Sequence, residues 1–223
     1  MPDVPTGDVA PAVVPVMTDA ERTAASAIFG DRVGLAERFV LHLATSGIER
    51  GLLGPREVPR LWSRHVLNCA VVSELIGQQV SVCDVGSGAG LPGIALAIAR
   101  PDLSLELVEP LERRVTWLDE VVRDLGLKNV VVRRARAEQV VDDVDVDVVT
   151  ARAVSALGGL MQLTIPLLHG HGEVLAIKGR SASEEVAKAG RAIRKLGGSA
   201  AEIITVGAGI LEEPTTVVRV RVG

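Results

Sequence analysis

The stretch Asp84-Val85-Gly86-Ser87-Gly88-Ala89-Gly90-Leu91-Pro92-Gly93 follows an aliphatic run, Val80–Asp84, and opens a helical one, Pro92–Arg100. Small residues let a backbone turn sharply from strand to helix and approach a ligand closely. Downstream the alternation repeats. Short aliphatic runs predict strands at Ser104–Glu109, Val130–Arg133, Val146–Thr150, Glu173–Lys178, Ala201–Val206 and Thr215–Val222. Amphipathic stretches predict helices at Leu111–Leu125, Ala156–Leu168 and Ala182–Leu196. Strand-helix alternation implies parallel pairing, right-handed crossovers and helices on both faces of the sheet. Only Gly207–Pro214 separate the last two runs. That is too short for a helical crossover, so these strands are expected to pair antiparallel.

Upstream the character differs. Met1–Met17 carry Pro2, Pro5, Pro11 and Pro15 without any period and read as a disordered tail. Thr18 and Glu21 have the spacing of a capping box that starts a helix. Further helices are expected over Asp31–Ala44 and Val58–Ile76, with a Gly- and Pro-rich loop over Ser46–Pro59 that holds about one helical turn between them. The expected organisation is therefore a tail over 1–17, a helical extension over 18–77 and an α/β domain over 78–223.

The 223 residues are 48% apolar but only 2% aromatic, with Phe 2, Trp 2 and Tyr 0, so Val, Leu, Ile and Ala must build the core. Strands covered on both faces suit such a composition. Rows of stacking rings for single-stranded nucleic acid do not. A net charge of −4 argues against a protein that coats nucleic acid by electrostatics alone, so any such site must be local. Cys69 and Cys83, both in apolar stretches, offer neither a disulfide framework nor a metal-ligand spacing, and no metal is expected. With no apolar run approaching the roughly eighteen residues of a membrane span and no signal-peptide pattern, a reducing cytoplasm fits best.

Two cofactors compete for the glycine loop. Gly88-Ala-Gly90-Leu-Pro-Gly93 matches the dinucleotide fingerprint, with Glu109 at the end of the next strand. A pyrophosphate, however, wants backbone donors and a positive helix end. Pro92 removes one donor, and Asp84 adds a negative charge beside the loop. The ammonium and sulfonium of S-adenosylmethionine compensate such an acid. Glu109 could accept both ribose hydroxyls of either cofactor, and the blandest alternative is a glycine turn that binds nothing.

If the cofactor is S-adenosylmethionine, the acceptor is constrained. After the fourth strand the chain reads Thr150-Ala-Arg152-Ala153, without a cysteine nucleophile or an Asn-Pro-Pro-aromatic motif for an exocyclic amine. Cys83, inside a strand, reads as core. A ring nitrogen with a free lone pair needs no general base, and Arg152 would then position rather than abstract a proton. Arg136, Arg152 and Lys178 stand at expected strand C-terminal ends, where an open α/β sheet binds its ligands. The other basic residues read mostly as solvated helix faces, and the acidic run Asp142–Asp147 as a solvated loop.

The segments LWSRHVLNCAVV (61–72), DVGSGAGLPGIALAIARPDLSLELVEPLERRVTWLDEV (84–121), RARAEQV (134–140), TARAVSAL (150–157) and AIKG (176–179) closely resemble the RsmG (GidB) family of small-subunit ribosomal RNA guanine-N7 methyltransferases. The resemblance implies a class I S-adenosylmethionine-dependent methyltransferase, with a Rossmann-like seven-stranded sheet, its last strand antiparallel, and an N-terminal helical extension. It implies methylation of N7 of guanosine 527, in the 530 loop of the decoding region of 16S ribosomal RNA, on the free RNA or a 30S subunit or assembly intermediate. No protein partner is evident. Together with the loop reading it points to Asp84, Gly86, Gly88, Leu91, Glu109, Ala137, Glu138 and Arg152 for the cofactor, and to Arg64, His65, Arg136 and Lys178 for RNA. His65 reads equally well as a buried helix histidine. The chain departs from the family pattern twice. A W-N-x-x-x-N-L-T segment is absent around Leu43–Arg56, and Asn68 stands where Asp is common. The remaining alternatives are a nicotinamide-dinucleotide oxidoreductase and a non-catalytic cofactor-binding regulator.

Overall fold

A computed structural model describes residues 15–223. Seven strands, β1 (Ser81–Val85), β2 (Ser104–Val108), β3 (Val130–Arg133), β4 (Val148–Arg152), β5 (Gly172–Lys178), β6 (Glu202–Val206) and β7 (Thr215–Val222), form one sheet in the order β3-β2-β1-β4-β5-β7-β6. β1 to β5 are parallel, and β7 runs antiparallel to both β5 and β6. The short Gly207–Pro214 connection thus makes the expected hairpin. Strand β4 lies two residues later than expected. Val144 and Val146 are buried in the loop that enters it, and Asp147 accepts hydrogen bonds from the Ser81 N–H (2.8 Å) and hydroxyl (2.7 Å) at the start of β1. Their alternation imitates a strand that has not yet begun to pair.

Alternate strand residues feed two apolar clusters. In β5, Leu175 joins one, while Val174 and Ala176 join the other. The first cluster includes α1 (Asp19–Phe29), α2 (Val33–His42), α3 (Asn68–Ala70), α4 (Gly93–Ala99) and α5 (Glu112–Leu125). The second includes α6 (Leu157–Thr164) and α7 (Ala182–Lys195). Aliphatic side chains carry both clusters, and Trp117 in α5 is fully buried. No helix among the described residues is long and apolar enough to cross a membrane.

The Thr18–Glu21 capping box forms in both directions and starts α1. The tail expected over 1–17 lies outside the described residues except at its end, where Met17 is buried and the Trp62 indole N–H donates to the Pro15 carbonyl (3.3 Å). The region over Ser46–Pro59, expected to be a loop with one helical turn, holds more helix than that. A π-helix over Leu43–Gly47 prolongs α2, and a 3-10 helix spans Pro55–Arg60. α3 is the centre of a rod that starts as a π-helix at Leu61–Leu67 and ends as a 3-10 helix at Val71–Leu75. Polar ties dock this layer on the α/β core. Trp117 Nε1 donates to Ser46 Oγ (3.0 Å), and the Arg100 guanidinium donates to the carbonyls of Ile76 (3.0 Å) and Gly77 (2.7 Å).

Candidate functional site

The carboxyl ends of β1, β2 and β4 meet around the glycine loop. The Gly86 N–H donates to the Val108 carbonyl (2.8 Å), and Gly86, Gly88 and Gly90 hold φ values of +71°, +55° and +75°. At Gly86 a β-carbon would lie 2.9 Å from Val154 Cγ2. The loop therefore needs glycine there both for its backbone and for its closeness to the segment after β4.

Asp84 is fully buried beneath this loop. Its Oδ2 accepts from the Gly93 N–H (3.0 Å) at the start of α4, and its Oδ1 from the Thr150 hydroxyl on β4 (3.3 Å). The charge expected beside the ligand is thus spent on fastening the loop to the sheet. Burial raises its pKa from 3.8 to about 6, against the opposing effect of the Gly93, Ser87 and Thr150 hydrogen bonds and the Arg152 charge. A carboxyl with a raised pKa holds its proton longer when folded. Its contribution to stability is full below the unfolded pKa and is lost as pH rises through about 6, an order-of-magnitude cost of ~3 kcal/mol at neutral pH. In Asp84→Asn this decline should be absent, so the difference between wild-type and variant unfolding free energies should shift by about 3 kcal/mol against the wild type from about pH 4 to pH 7. Parallel pH curves for the two proteins would refute the assignment.

A cavity of about 430 Å³ lies between the loop and the end of β2. Gly86, Glu109, Arg114, Arg136, Ala137, Glu138, Ala153 and Val154 contribute to its wall, with Val85, Val108 and Leu163 as apolar surface. Glu109 is 1% exposed; its Oε2 accepts from the Gly88 N–H (3.0 Å) and its Oε1 from the Leu111 N–H (3.0 Å). Each oxygen retains capacity for a further donor such as a ribose hydroxyl. Arg114 Nη1 stands 3.6 Å from Glu109 Oε2, and its buried Nε has no partner among the described residues. A fixed carboxylate, apolar walls and a glycine cradle of this volume fit S-adenosylmethionine.

Beyond Ala153 and Val154, which line both spaces, opens a groove of about 1400 Å³. Ala153 takes a left-handed φ of +56° at this junction. Arg64, His65 and Asn68 from the helical rod form one side, and Arg152 and Lys178 at the ends of β4 and β5, with Arg180 just beyond β5, form the other. His65 is both buried and at the groove, which reconciles its two sequence readings. Its Nε2 lies 2.7 Å from Glu57 Oε2 and its Nδ1 2.5 Å from Arg152 Nη2. Arg152 Nη1 also reaches Cys69 Sγ (3.2 Å) and the Arg64 carbonyl (3.4 Å). Lys178 Nζ donates to the Ser155 carbonyl (2.8 Å) and pairs with Glu185 (2.9 Å), so it ties the segment after β4 to α7.

The structure therefore gathers Gly86, Glu109, Ala137 and Glu138 at one cavity and Arg64, His65, Arg152 and Lys178 at the other. Arg136 stands with the first group, whereas Arg152 lines only the groove. Asp84, Gly88 and Leu91 line neither space; Gly88 acts through its bond to Glu109, and Leu91 is 6% exposed within the core. Glu57 and Arg114 escaped the sequence reading. Nothing local marks Glu57, whose partner lies in another element, and Arg114 reads like a solvated helix residue.

A parallel sheet with a reversed β7, a glycine turn after β1 and a buried acid after β2 define a class I S-adenosylmethionine-dependent methyltransferase. The same fold occurs in M. jannaschii TYW2 in complex with AdoMet (TM-score 0.55, 17% identity, covering 72% of this chain and 76% of that one). It occurs also in a SAM-dependent methyltransferase from Aquifex aeolicus (TM-score 0.53, 18% identity, covering 80% and 98%). The family model GidB, rRNA small subunit methyltransferase G, matches residues 33–213, and the chain belongs to that family. The Ribosomal RNA small subunit methyltransferase G of Renibacterium salmoninarum is 67% identical over 208 residues, 93% of this chain and 97% of that protein. That of Rhodococcus jostii is 54% identical over 201 residues, 89% and 88% of the two chains. Family membership sets aside the dinucleotide oxidoreductase reading of the glycine loop.

Proposed function

We propose that the protein methylates N7 of guanosine 527 in the 530 loop of 16S ribosomal RNA, in the cytoplasm, on free RNA or an assembling small subunit. The observation that carries this reading is the meeting of the two cavities at Ala153 and Val154, which lets a nucleobase in the groove reach a cofactor held by the glycine loop. S-adenosylmethionine, when bound, supplies an electrophilic methyl carbon on its sulfonium. Glu109 would hold the ribose, Gly86 and Ala137 would border the nucleoside, and Arg64 and Arg152 would orient the RNA.

The side chains favour an acceptor that attacks with its own lone pair. Cys69 and Cys83 are fully buried, and burial pushes both thiols up, so neither supplies a thiolate. His65 has both ring nitrogens engaged, Glu57 is committed to His65, and Glu185 to Lys178, Ser181 and the Leu157 N–H. Guanine N7 loses no proton on methylation and requires no base.

Deleting the gene should remove the methylated guanosine from 16S RNA, and purified protein should restore it with labelled S-adenosylmethionine. Unchanged N7-methylguanosine in the deletion strain would sink the proposal, and cofactor binding without transfer to naked RNA or 30S subunits would favour a regulator instead. Affinity should depend only mildly on salt. Counting Arg64, Arg152 and Arg180 as phosphate ligands gives a slope of log K against log salt of about −2. A slope steeper than about −5 would mean that a much wider basic surface binds RNA.

A further inference from the structure

The groove contains a relay whose members come from three separate parts of the chain: Glu57 in the 3-10 helix before the rod, His65 within the rod and Arg152 at the end of β4. A guanidinium only donates hydrogen bonds and stays charged, so the His65 Nδ1 that faces Arg152 must be the acceptor. The ring proton then sits on Nε2 and is donated to the Glu57 carboxylate. One tautomer satisfies all three groups.

We propose that Glu57 and His65 are positioning residues for methyl transfer: Glu57 anchors the His65 ring through its Nε2–H, and His65 holds the Arg152 guanidinium at the mouth of the cofactor cavity. The inference rests on the methyltransferase reading above and assigns roles within its groove. Arg152 directly precedes Ala153, one of the two residues shared by both cavities. Its Nη1 contacts, the Arg64 carbonyl and Cys69 Sγ, come from the rod too, so the helical layer aims this side chain. Without the His65 acceptor, Nη2 would lose the partner that fixes the planar fork's rotation.

The arrangement also acts as a proton-sensitive latch. Protonated imidazole has two donors and no acceptor, so His65 cannot carry a second proton and still receive the Arg152 N–H. Burial and the Arg152 charge both hold its pKa below the ordinary imidazole value, against the pull of Glu57. The charged groups facing the ring are Glu57 from the 3-10 helix, Arg152 from β4 and Arg64 from the rod itself. At neutral pH the latch is closed, and it opens only in acid.

The test uses the full-length protein and small-subunit ribosomal RNA. In Glu57→Ala, kcat should fall about tenfold, as expected when a hydrogen bond to a charged group is lost, with little change in KM for S-adenosylmethionine. In Glu57→Gln the side-chain oxygen still accepts from Nε2, so kcat at neutral pH should stay within about threefold of wild type. The acid limb of its pH profile should move to lower pH, because the anion that favours imidazolium is gone. Imidazole 15N shifts of the free protein give a readout independent of turnover: wild-type His65 should be the Nε2–H tautomer, and in Glu57→Ala the Nε2 resonance should move as its carboxylate partner is lost. A wild-type protein inactive on RNA would refute the functional reading. An active wild type, with both variants matching it in kcat, acid limb and Nε2 shift, would overturn the positioning roles alone.

Discussion

Arg152→Ala is expected to lower kcat/KM for methyl transfer by about 100-fold or more while the protein remains folded, the scale seen when a site loses a positioned charged donor. The guanidinium touches the Arg64 carbonyl, Cys69 Sγ and His65 Nδ1. Truncation leaves the buried His65 ring without its donor and removes the one cation that stands directly before the cavity junction. Arg152→Lys should recover only a small part of the activity, because an ammonium cannot reproduce a planar fork that serves several acceptors. Cys83→Ala, in the buried face of β1, should keep near-wild-type transfer. Methyl incorporation into 30S subunits, with thermal unfolding as the folding control, decides the matter. An active Arg152→Ala beside an inactive Cys83→Ala would overturn the base-free, thiol-free reading of the chemistry.

The largest effect on stability is expected from Gly93→Ala. A β-carbon at this first residue of α4 would overlap Leu107 Cδ2 and lie 2.7 Å from Asp84 Oδ2 and 3.1 Å from Asp84 Cβ. Leu107 and Asp84 are both fully buried, so neither has room to withdraw. Overpacking costs about 1–3 kcal/mol, and weakening the Gly93 N–H bond to a buried carboxylate adds about as much. A total of ~4 kcal/mol is a large part of a typical domain's stability and should lower the melting temperature by roughly 10 °C. Gly126→Ala is a useful comparison, since that glycine has a φ of +65° but open space around it. It should cost only about 1–2 kcal/mol of backbone strain. A loss at Gly93 no larger than that at Gly126 would show that Leu107 and Asp84 yield to the added carbon and that crowding does not make Gly93 necessary.

The parts of the fold that the sequence revealed are those governed by local pattern. Aliphatic runs such as Val174–Ile177 can hardly be anything but doubly covered strands, and a connection as short as Gly207–Pro214 leaves a strand no option but to reverse. The Thr18–Glu21 box marked a helix start for the same reason: its partners are three residues apart. What stayed hidden depends on residues distant in sequence. Asp84 could be recognised as an acid beside the loop, but its commitment to Gly93 and Thr150 required knowing that β1 and β4 pair. Glu57 was invisible because its importance passes through His65 to Arg152, 87 residues from His65. The prolines of Pro55–Arg60 allow one helical turn but do not place it, because they serve loops equally well. Arg136 illustrates a finer failure: the end of β3 was placed correctly, but position along an edge does not say which of two adjoining cavities a side chain enters.

The scarcity of aromatic residues makes the molecule unusually simple to watch by light. Trp62 lies in the rod near Pro15, Trp117 lies in α5 with its N–H on Ser46, and there is no tyrosine to transfer energy to either indole. The Trp117 indole sits at the seam where the helical layer meets the α/β core, and the Trp62 indole lies within that layer against Pro15. Intrinsic emission should therefore follow the attachment of that layer and be nearly blind to the β5–β7 side of the sheet. A shift to the red before the far-ultraviolet circular dichroism changes would reveal detachment of the layer as a step separate from melting of the strands.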